Sequence, residues 1–433
     1  MALIDARGIP ADQTSVERLA GEGLEYRVLD TTDSTRVAAF QRAMARGFLG
    51  ADPSEAAREE GVGTLRSRRN IGVYEPDAPA DRFPVATIDS WVTPLTIPGG
   101  EIGMWAISGV TVAGTHRRRG IARALLEGEL RAAVDAGLPV AGLTVSEATI
   151  YGRYGFGSAV PVARFTVDVR RAGWAGPVPA GRVEYLEREE LAEALAEAHE
   201  RARTARSGQV PGWAARWAGI SGLASTDTDR DRVRGVRYRD ESGQVRGVMA
   251  FHLSERGGTF RFAMHVRLLV GETAEATAAL WRFALQHDLV DEVTADLRPL
   301  DDALPWLVAD PRGVTQEVHD HGWLRVLDVP AALTARTYAA PLDTVLRIED
   351  PLGFAAGTWR LRVDAEGRAH IEEAPGAEAD LVLDVSALSS IYAGSIRVAA
   401  LHGAGRITGP VDAVEALDRA FVAFPAPSLD IWY

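Results

Sequence analysis

The chain has 433 residues, which indicates about three domains, and its 46% hydrophobic and 25% charged residues are typical of globular proteins. It contains no cysteine, which excludes a disulfide framework, a thiolate metal site and a cysteine nucleophile. The net charge of -13 argues against a nucleic-acid-binding protein, whose phosphate contacts need a basic surface. It fits cationic substrates, although such a charge considered alone more often serves solubility.

The N-terminal residues show no targeting segment. Residues 1–10 lack a basic region followed by an apolar run, and no apolar stretch of the chain reaches membrane-spanning length. We therefore expect a cytoplasmic protein. Residues 1–24 are polar and are predicted to form a weakly ordered extension.

A strand, a helix and further strands are predicted next. Residues 25–29 begin the first strand, and residues 32–34 (Thr-Asp-Ser) are of the kind that caps the start of a helix. Further strands are predicted at 67–73 and 85–91. The turn at 98–100 (Pro-Gly-Gly) leads the chain into another strand.

The most informative segment runs from Val110 to Arg123 and reads as a strand, a basic turn with glycine, and the start of a helix. The predicted apolar face of that helix consists of Ile121, Leu125, Leu126, Leu130 and Val134. A turn that leads into a helix start presents unpaired N–H groups and the positive end of the helix dipole, which suit a pyrophosphate. Gly120 and Ala122 let the backbone approach such an anion closely, because neither has a bulky side chain. The segment therefore predicts a phosphate-bearing cofactor.

The pattern Arg117-x-x-Gly120-x-Ala122, placed between a strand and a long helix, resembles the acetyl-CoA loop of the GNAT acetyltransferases. After a further predicted strand at 140–145, the chain reads SEATIYGRYGFG over residues 146–157. Together these motifs are similar to the Eis family of aminoglycoside N-acetyltransferases, a branch of the GNAT enzymes.

Two later features extend this resemblance over residues 25–433. The segment VLDVPAALTARTYA, residues 326–339, is similar to that family's link into its last domain, and the chain ends on an aromatic residue, Tyr433. The resemblance implies an α+β fold with tandem GNAT domains, each a mixed, mostly antiparallel sheet with flanking helices. A sterol-carrier-protein-like α+β domain follows them. The implied parts are an extension at 1–24, a catalytic GNAT domain at 25–172, a degenerate GNAT-like domain at 173–331 and a sterol-carrier-protein-like domain at 332–433.

The sequence beyond 173 follows this plan. The predicted elements of the second domain are strands at 184–186, 247–253 and 261–269 and helices at 189–203 and 273–289. Its turn at 270–273 lacks the arginines and the second small residue, so we expect no cofactor there. The predicted elements of the third domain are strands at 344–348, 358–363, 370–371 and 381–385 and helices at 386–393 and 411–421. We interpret the third domain as a scaffold that positions the chain terminus and partner subunits, not as a lipid-binding module.

The resemblance also implies how acetyl-CoA is held, without a metal ion. The implied cofactor-binding residues are Val110, Thr111, Val112, Arg117, Arg118, Arg119, Gly120, Ile121, Ala122, Arg123, Ser146 and Glu147. In this interpretation the turn grips the pyrophosphate through N–H groups and arginine charge. The strand pairs with the pantetheine arm and polarises the carbonyl.

The same resemblance assigns two catalytic groups. Tyr151 matches the family's proton donor, and a phenol with a pKa near ~10 stays protonated at neutral pH. The terminal carboxylate of Tyr433 accepts the amine's proton, although an α-carboxyl with a pKa near ~3.5 needs desolvation or a relay to do so. Candidate residues around the amine are Asp33, Phe40, Trp91 and Trp105.

Three functions stay open at this point. The first is an N-acetyltransferase of polycationic amines such as aminoglycosides, acting at several positions. The second is an N-acetyltransferase of protein lysines or small metabolite amines, and the third is a non-enzymatic scaffold with a vestigial cofactor loop. The resemblance implies a homohexamer, and we expect no nucleic-acid or membrane partner.

Overall fold

The computed structural model describes residues 4–258 and 260–433, and the chain divides into two compact units. The first unit combines residues up to 159 with residues 322–423 and the terminal Tyr433. The second combines residues 160–321 with the tail at 424–432. The tail and the terminal residue therefore belong to different units.

Helices and strands occur along the whole described chain. Those that begin before residue 160 are α1 Gln13–Ala20, β1 Glu25–Val28, α2 Ser34–Gly47, α3 Glu55–Arg66, β2 Arg69–Tyr74, β3 Ala86–Ile97, β4 Gly100–Val112, α4 Ile121–Asp135, β5 Val140–Thr144, α5 Ala148–Tyr151 and β6 Gly157–Asp168. The next are α6 Val169–Ala172, β7 Arg182–Leu186, α7 Arg188–Arg203, α8 Ala214–Ile220, β8 Val233–Arg239, β9 Val245–Glu255, β10 Phe262–Gly271, α9 Ala274–Leu285, β11 Val290–Arg298 and β12 Val314–Val326. The last are α10 Val329–Ala335, β13 Leu342–Glu349, β14 Gly357–Val363, β15 Ala369–Glu373, β16 Leu381–Asp384, α11 Val385–Tyr392, α12 Val398–Gly403, β17 Ile407–Thr408 and α13 Val411–Phe421.

The first unit contains a sheet in the order β1-β2-β3-β4-β5, antiparallel up to β4 and parallel between β4 and β5. Residues 322–326 of β12 pair antiparallel with β5. The core lies between this sheet and α4, where Leu125, Leu126 and Leu130 are fully buried, as their spacing predicts. Val134, predicted to share that face, is 37% exposed in the last turn of the helix.

The prediction of a weakly ordered extension at 1–24 is wrong for residues 4–24. Helix α1 begins after Asp12, whose carboxylate binds the guanidinium of Arg131 in α4 at 2.7 Å. Leu19 of α1 is fully buried in the core of the first unit. The prediction failed because a few buried apolar side chains and a distant ion pair, and not a long apolar stripe, attach this segment to the domain.

The second unit repeats the arrangement of the first. Its strands lie in the order β7-β8-β9-β10-β11-β6, antiparallel through β10, parallel between β10 and β11, and antiparallel between β11 and β6. Helix α9 follows β10 as α4 follows β4, and one face of α9 is buried against the sheet. The prediction that the second domain repeats the element order of the first is confirmed.

The third segment forms a separate sheet in the order β15-β14-β13-β16-β17, with β13 and β16 parallel. A buried ion pair joins this sheet to the rest of the first unit. The Arg325 guanidinium binds the carboxylate of Asp350 at 2.7 Å and donates from Nε to the carbonyl of Tyr154 at 2.8 Å. Both charged side chains are fully buried, so the contact depends on their mutual pairing.

Candidate active site

The candidate site is built where two parallel strands of the first unit separate. The pairing of β4 with β5 runs from Met104–Ala106 to Val140–Gly142 and then ends, although β4 continues to Val112. Among the described residues, this last part of β4 pairs only with β3 on its other side. The edge that faces the gap therefore offers backbone N–H and C=O groups to a bound molecule.

A bulge at Gly109 redirects the end of β4. The register between β3 and β4 shifts after Thr87, and Gly109 has a φ of +61°. A Cβ at this position would lie 2.6 Å from Oδ2 of Asp89. Glycine is therefore required here both by the positive φ and by the lack of space for a Cβ. Asp89 is itself fixed by an ion pair with Arg68, at 2.8 Å.

The three predicted cofactor residues of β4 differ in what they contribute. Val110 and Val112 are partly buried and pack on the core next to α4. The side chain of Thr111 faces the opposite way, where its hydroxyl lies 2.7 Å from that of Thr87. It also packs directly on Gly47 of α2. Thr111 can therefore meet a ligand only through its main chain, and its side chain is structural.

The start of α4 is open, as the sequence predicts for an anion site. Gly120 occupies the N-cap position with a φ of +74°, and no side chain caps this first turn in the described structure. The nearest atom to a Cβ at Gly120 would be Nε of Arg18, 3.9 Å away, so the surface in front of the turn is unobstructed. Ile121 is buried and Ala122 is partly buried, and neither projects a large side chain over the turn. The N–H groups of the turn can therefore bind an anion together with the helix dipole.

The four arginines around this turn have two different environments. Arg117–Arg118 are exposed. Arg119 donates to the carbonyl of Glu22, and Arg123 binds the carboxylate of Glu127 at 2.5 Å, which raises the pKa of Arg123. Arg117 and Arg118 can turn toward a phosphate without breaking an ion pair that the structure shows. Arg119 and Arg123 are instead held by contacts with other residues of the fold.

Tyr151 ends the short helix α5 and is 6% exposed. Its ring packs edge-on against Phe156, with centroids 6.1 Å apart. Burial, and to a smaller extent the charge of Glu147, raises the pKa of the Tyr151 phenol above its ordinary value. The phenol is therefore protonated at neutral pH and can act as a proton donor. Ser146 and Glu147, also predicted to contact the cofactor, are exposed at the end of β5.

The terminal residue Tyr433 is bound to β5 and β3. Its backbone N–H donates to Oγ1 of Thr144 at 3.1 Å, and the Thr144 hydroxyl donates to the main-chain oxygen of Tyr433. Its ring meets Trp91 edge-on, with centroids 5.5 Å apart, and burial raises the pKa of its phenol. The two predicted catalytic residues thus follow or contact the same end of β5. Sequence reasoning missed Thr144, because a threonine in a strand carries no signal of such a contact.

The candidate amine-site residues are not brought together. Trp91 contacts the terminal residue, but Phe40 and Trp105 are fully buried in two separate apolar cores. Asp33 caps α2, with its carboxylate accepting from the N–H of Thr35 at 3.0 Å. Of these four, only Trp91 has a contact that relates it to the site.

No group of three or more His, Asp or Glu side chains in the described ranges is arranged to hold a metal ion. None of the helices described is both long enough and apolar enough to cross a bilayer.

Three family models match consecutive parts of the chain. Residues 25–159 match one acetyltransferase (GNAT) domain, residues 209–326 match a second GNAT domain model, and residues 329–430 match a sterol carrier protein domain. The predicted fold class, two GNAT domains followed by a sterol-carrier-protein-like domain, is thereby confirmed.

Relatives match most of the length of the chain. The chain is 34% identical over 379 residues to an uncharacterized N-acetyltransferase of Streptomyces avermitilis, covering 84% of this chain and 88% of the relative. It is 33% identical over 344 residues to N-acetyltransferase Eis of Mycobacterium tuberculosis, covering 76% of this chain and 81% of the relative. The crystal structure of Eis1 from Mycobacterium abscessus superposes with a TM-score of 0.80 at 29% identity, over 94% of this chain and 100% of that one.

Proposed function

The chain belongs to the Eis-type branch of the GNAT N-acetyltransferases, and from this premise we propose that it acetylates polycationic amines such as aminoglycosides, at several positions. The observation that carries the proposal is the open turn before α4, which lies next to the unpaired edge of β4. Tyr151 follows β5 and Tyr433 is bound to its last residue, so in this proposal they serve as the proton donor and the proton acceptor.

The residues before α4 fit the pyrophosphate of acetyl-CoA. The turn has no side-chain cap, its glycine leaves the approach open, and Arg117–Arg118 add positive charge. The edge of β4 beyond Ala106 can pair with the amides of the pantetheine arm in the manner of an added strand. Acetyl-CoA supplies the activated thioester, and these residues orient it.

Two groups of the protein then transfer protons, one from the amine and one to the leaving thiolate. The C–S bond of the thioester breaks as the C–N bond to the amine forms. A primary ammonium with a pKa near ~10.4 is neutral in only about one molecule in ~10³ at pH 7, so the amine needs a proton acceptor. The carboxylate of Tyr433 accepts that proton, and Tyr151 gives its phenolic proton to the departing thiolate.

Charge supports a cationic acceptor. The net charge of -13 raises the local concentration of polycations near the protein, although charge alone does not select an aminoglycoside over a lysine-rich peptide. We also propose, on family resemblance, a cytoplasmic homohexamer, a reaction without a metal ion, and domain boundaries at 25–172, 173–331 and 332–433.

The test is a substrate panel with the full chain and acetyl-CoA. Coenzyme A release would be measured as free thiol with an aminoglycoside, a lysine-containing peptide and a small diamine, and the products would be weighed by mass spectrometry. We expect the aminoglycoside to be preferred and to gain more than one acetyl group. Preference for the peptide or the diamine would overturn the substrate assignment. The absence of acetyl-CoA binding in calorimetry would overturn the enzymatic one.

A further inference from the structure

The hydroxyl group of Thr144 makes two hydrogen bonds to one residue. It accepts from the backbone N–H of Tyr433 at 3.1 Å and donates to the main-chain oxygen of the same residue, which in the proposed function belongs to the terminal carboxylate. A threonine hydroxyl has one proton to donate and two lone pairs, so its only proton is given to the carboxylate. This double contact fixes the orientation of the terminal main chain as well as its position.

The aromatic ring of the terminal residue is held from the other side. Trp91 of β3 meets the ring of Tyr433 edge-on, and the guanidinium of Arg68 lies 3.6 Å from the centroid of the Trp91 ring. Arg68 is in turn paired at 2.8 Å with Asp89, which is 2% exposed. The main chain of the terminus is therefore bound to β5 and its ring to β3.

Thr144 also has a particular place in the fold. It is the last residue of β5, two positions beyond Gly142, where the pairing with β4 ends. The residues that follow it lead directly into α5 and Tyr151. The carboxylate that Thr144 binds is therefore fixed to the strand that also leads to the proposed proton donor.

We propose that Thr144 is a positioning residue for N-acetyl transfer: it holds one oxygen of the terminal carboxylate so that the other is free to accept the proton of the amine. This inference rests on the proposed function. A hydrogen bond donated to a carboxylate favours its charged form and so lowers its basicity. The contribution of Thr144 is therefore orientation, not a stronger base.

The experiment compares Thr144→Val with Thr144→Ser. Valine keeps the branched shape that suits a strand but lacks the hydroxyl, and serine keeps the hydroxyl. We expect Thr144→Val to lower kcat by roughly 10- to 100-fold, because a small misplacement of a reacting group is costly. The KM for acetyl-CoA should change less than about twofold, since Thr144 lies outside the turn that binds the pyrophosphate. Thr144→Ser should restore most of the rate.

A second measurement does not depend on activity. Carboxypeptidase should release Tyr433 faster from Thr144→Val than from the wild type and from Thr144→Ser, and thermal unfolding of all three would show that each is folded. Equal release rates, or a serine variant as slow in turnover as the valine variant, would overturn the role of Thr144. If the wild type acetylates no amine, the proposed function fails, and the release rates still decide whether Thr144 holds the terminus.

Discussion

In each unit, two parallel strands of the sheet separate at the corresponding place. The backbone groups at this gap stay available to a ligand in the first unit and are bound by a side chain in the second. In the first unit, pairing of β4 with β5 ends at Ala106 and the remaining edge of β4 has no strand beside it among the described residues. In the second unit, pairing of β10 with β11 ends at Val266. There Arg298 of β11 donates to the carbonyl of Leu269 at 2.5 Å and pairs with the buried carboxylate of Asp302. The Arg298 side chain therefore already binds the backbone carbonyl that a cofactor amide would otherwise bind.

The helices that follow these strands, α4 and α9, also differ in whether their first N–H groups are already bound. Helix α9 begins after Thr273, whose hydroxyl accepts from the N–H of Ala276 at 3.1 Å, whereas α4 begins after Gly120 with no side-chain cap. A capped start has already satisfied one of the N–H groups that an anion needs. This topology alone therefore does not make an acetyl-CoA site. What matters is whether the fold uses its own polar groups or leaves them for a ligand.

The largest effect should come from Tyr151, the proposed proton donor of the first unit. Changing Tyr151 to phenylalanine keeps the packing on Phe156 but removes the phenolic proton, so kcat should fall by about 10²- to 10⁴-fold. Because the pKa of Tyr151 is raised, the wild-type rate should decline only above pH ~10. Steady-state kinetics across pH measure both effects. As a control, Trp306→Phe alters an exposed ring in the turn that follows β11 and should leave kcat unchanged. A Tyr151→Phe enzyme with wild-type kcat would remove the proposed acid.

The next effect concerns the stability of the second unit. Arg298→Met leaves the fully buried carboxylate of Asp302 without its cation, which should cost about 3–5 kcal/mol in unfolding free energy. The urea midpoint of unfolding measures this cost, and adding Asp302→Asn should recover part of it. The KM for acetyl-CoA should stay at its wild-type value in both variants, because we expect this gap to bind no cofactor. A changed KM would place acetyl-CoA in the second unit.

The sequence predicted the parts of the site that depend on local pattern. The strand, turn and helix from Val110 to Asp135 form as predicted, because the apolar spacing and the glycine act within a few residues of one another. The capping of α2 by Asp33 followed from the same kind of local rule.

The sequence did not predict contacts between residues far apart in the chain. Thr144 and Tyr433 are separated by 289 positions, and nothing near either residue indicates the other. Helix α1 was missed for a similar reason, since Asp12 reaches Arg131 across the fold. Thr111 is predicted with Val110 and Val112 as a cofactor-binding residue, and the sequence does not show that the alternation of the strand turns its side chain toward α2 and leaves only its main chain for that role. These arrangements depend on packing, which one sequence does not display.

The smallest effect tests the two helix starts directly. Gly120→Val places a branched side chain at a φ of +74° in front of the open turn, so the Kd for coenzyme A should rise by about 10-fold through strain and obstruction. The matched change at the other helix, Thr273→Ala, removes a cap and should lower stability by about 1 kcal/mol without altering that Kd. Calorimetric titration and urea unfolding separate these outcomes. A Gly120→Val protein that binds coenzyme A as tightly as the wild type would mean that the pyrophosphate is held elsewhere, since that side chain would stand where the anion must approach the turn.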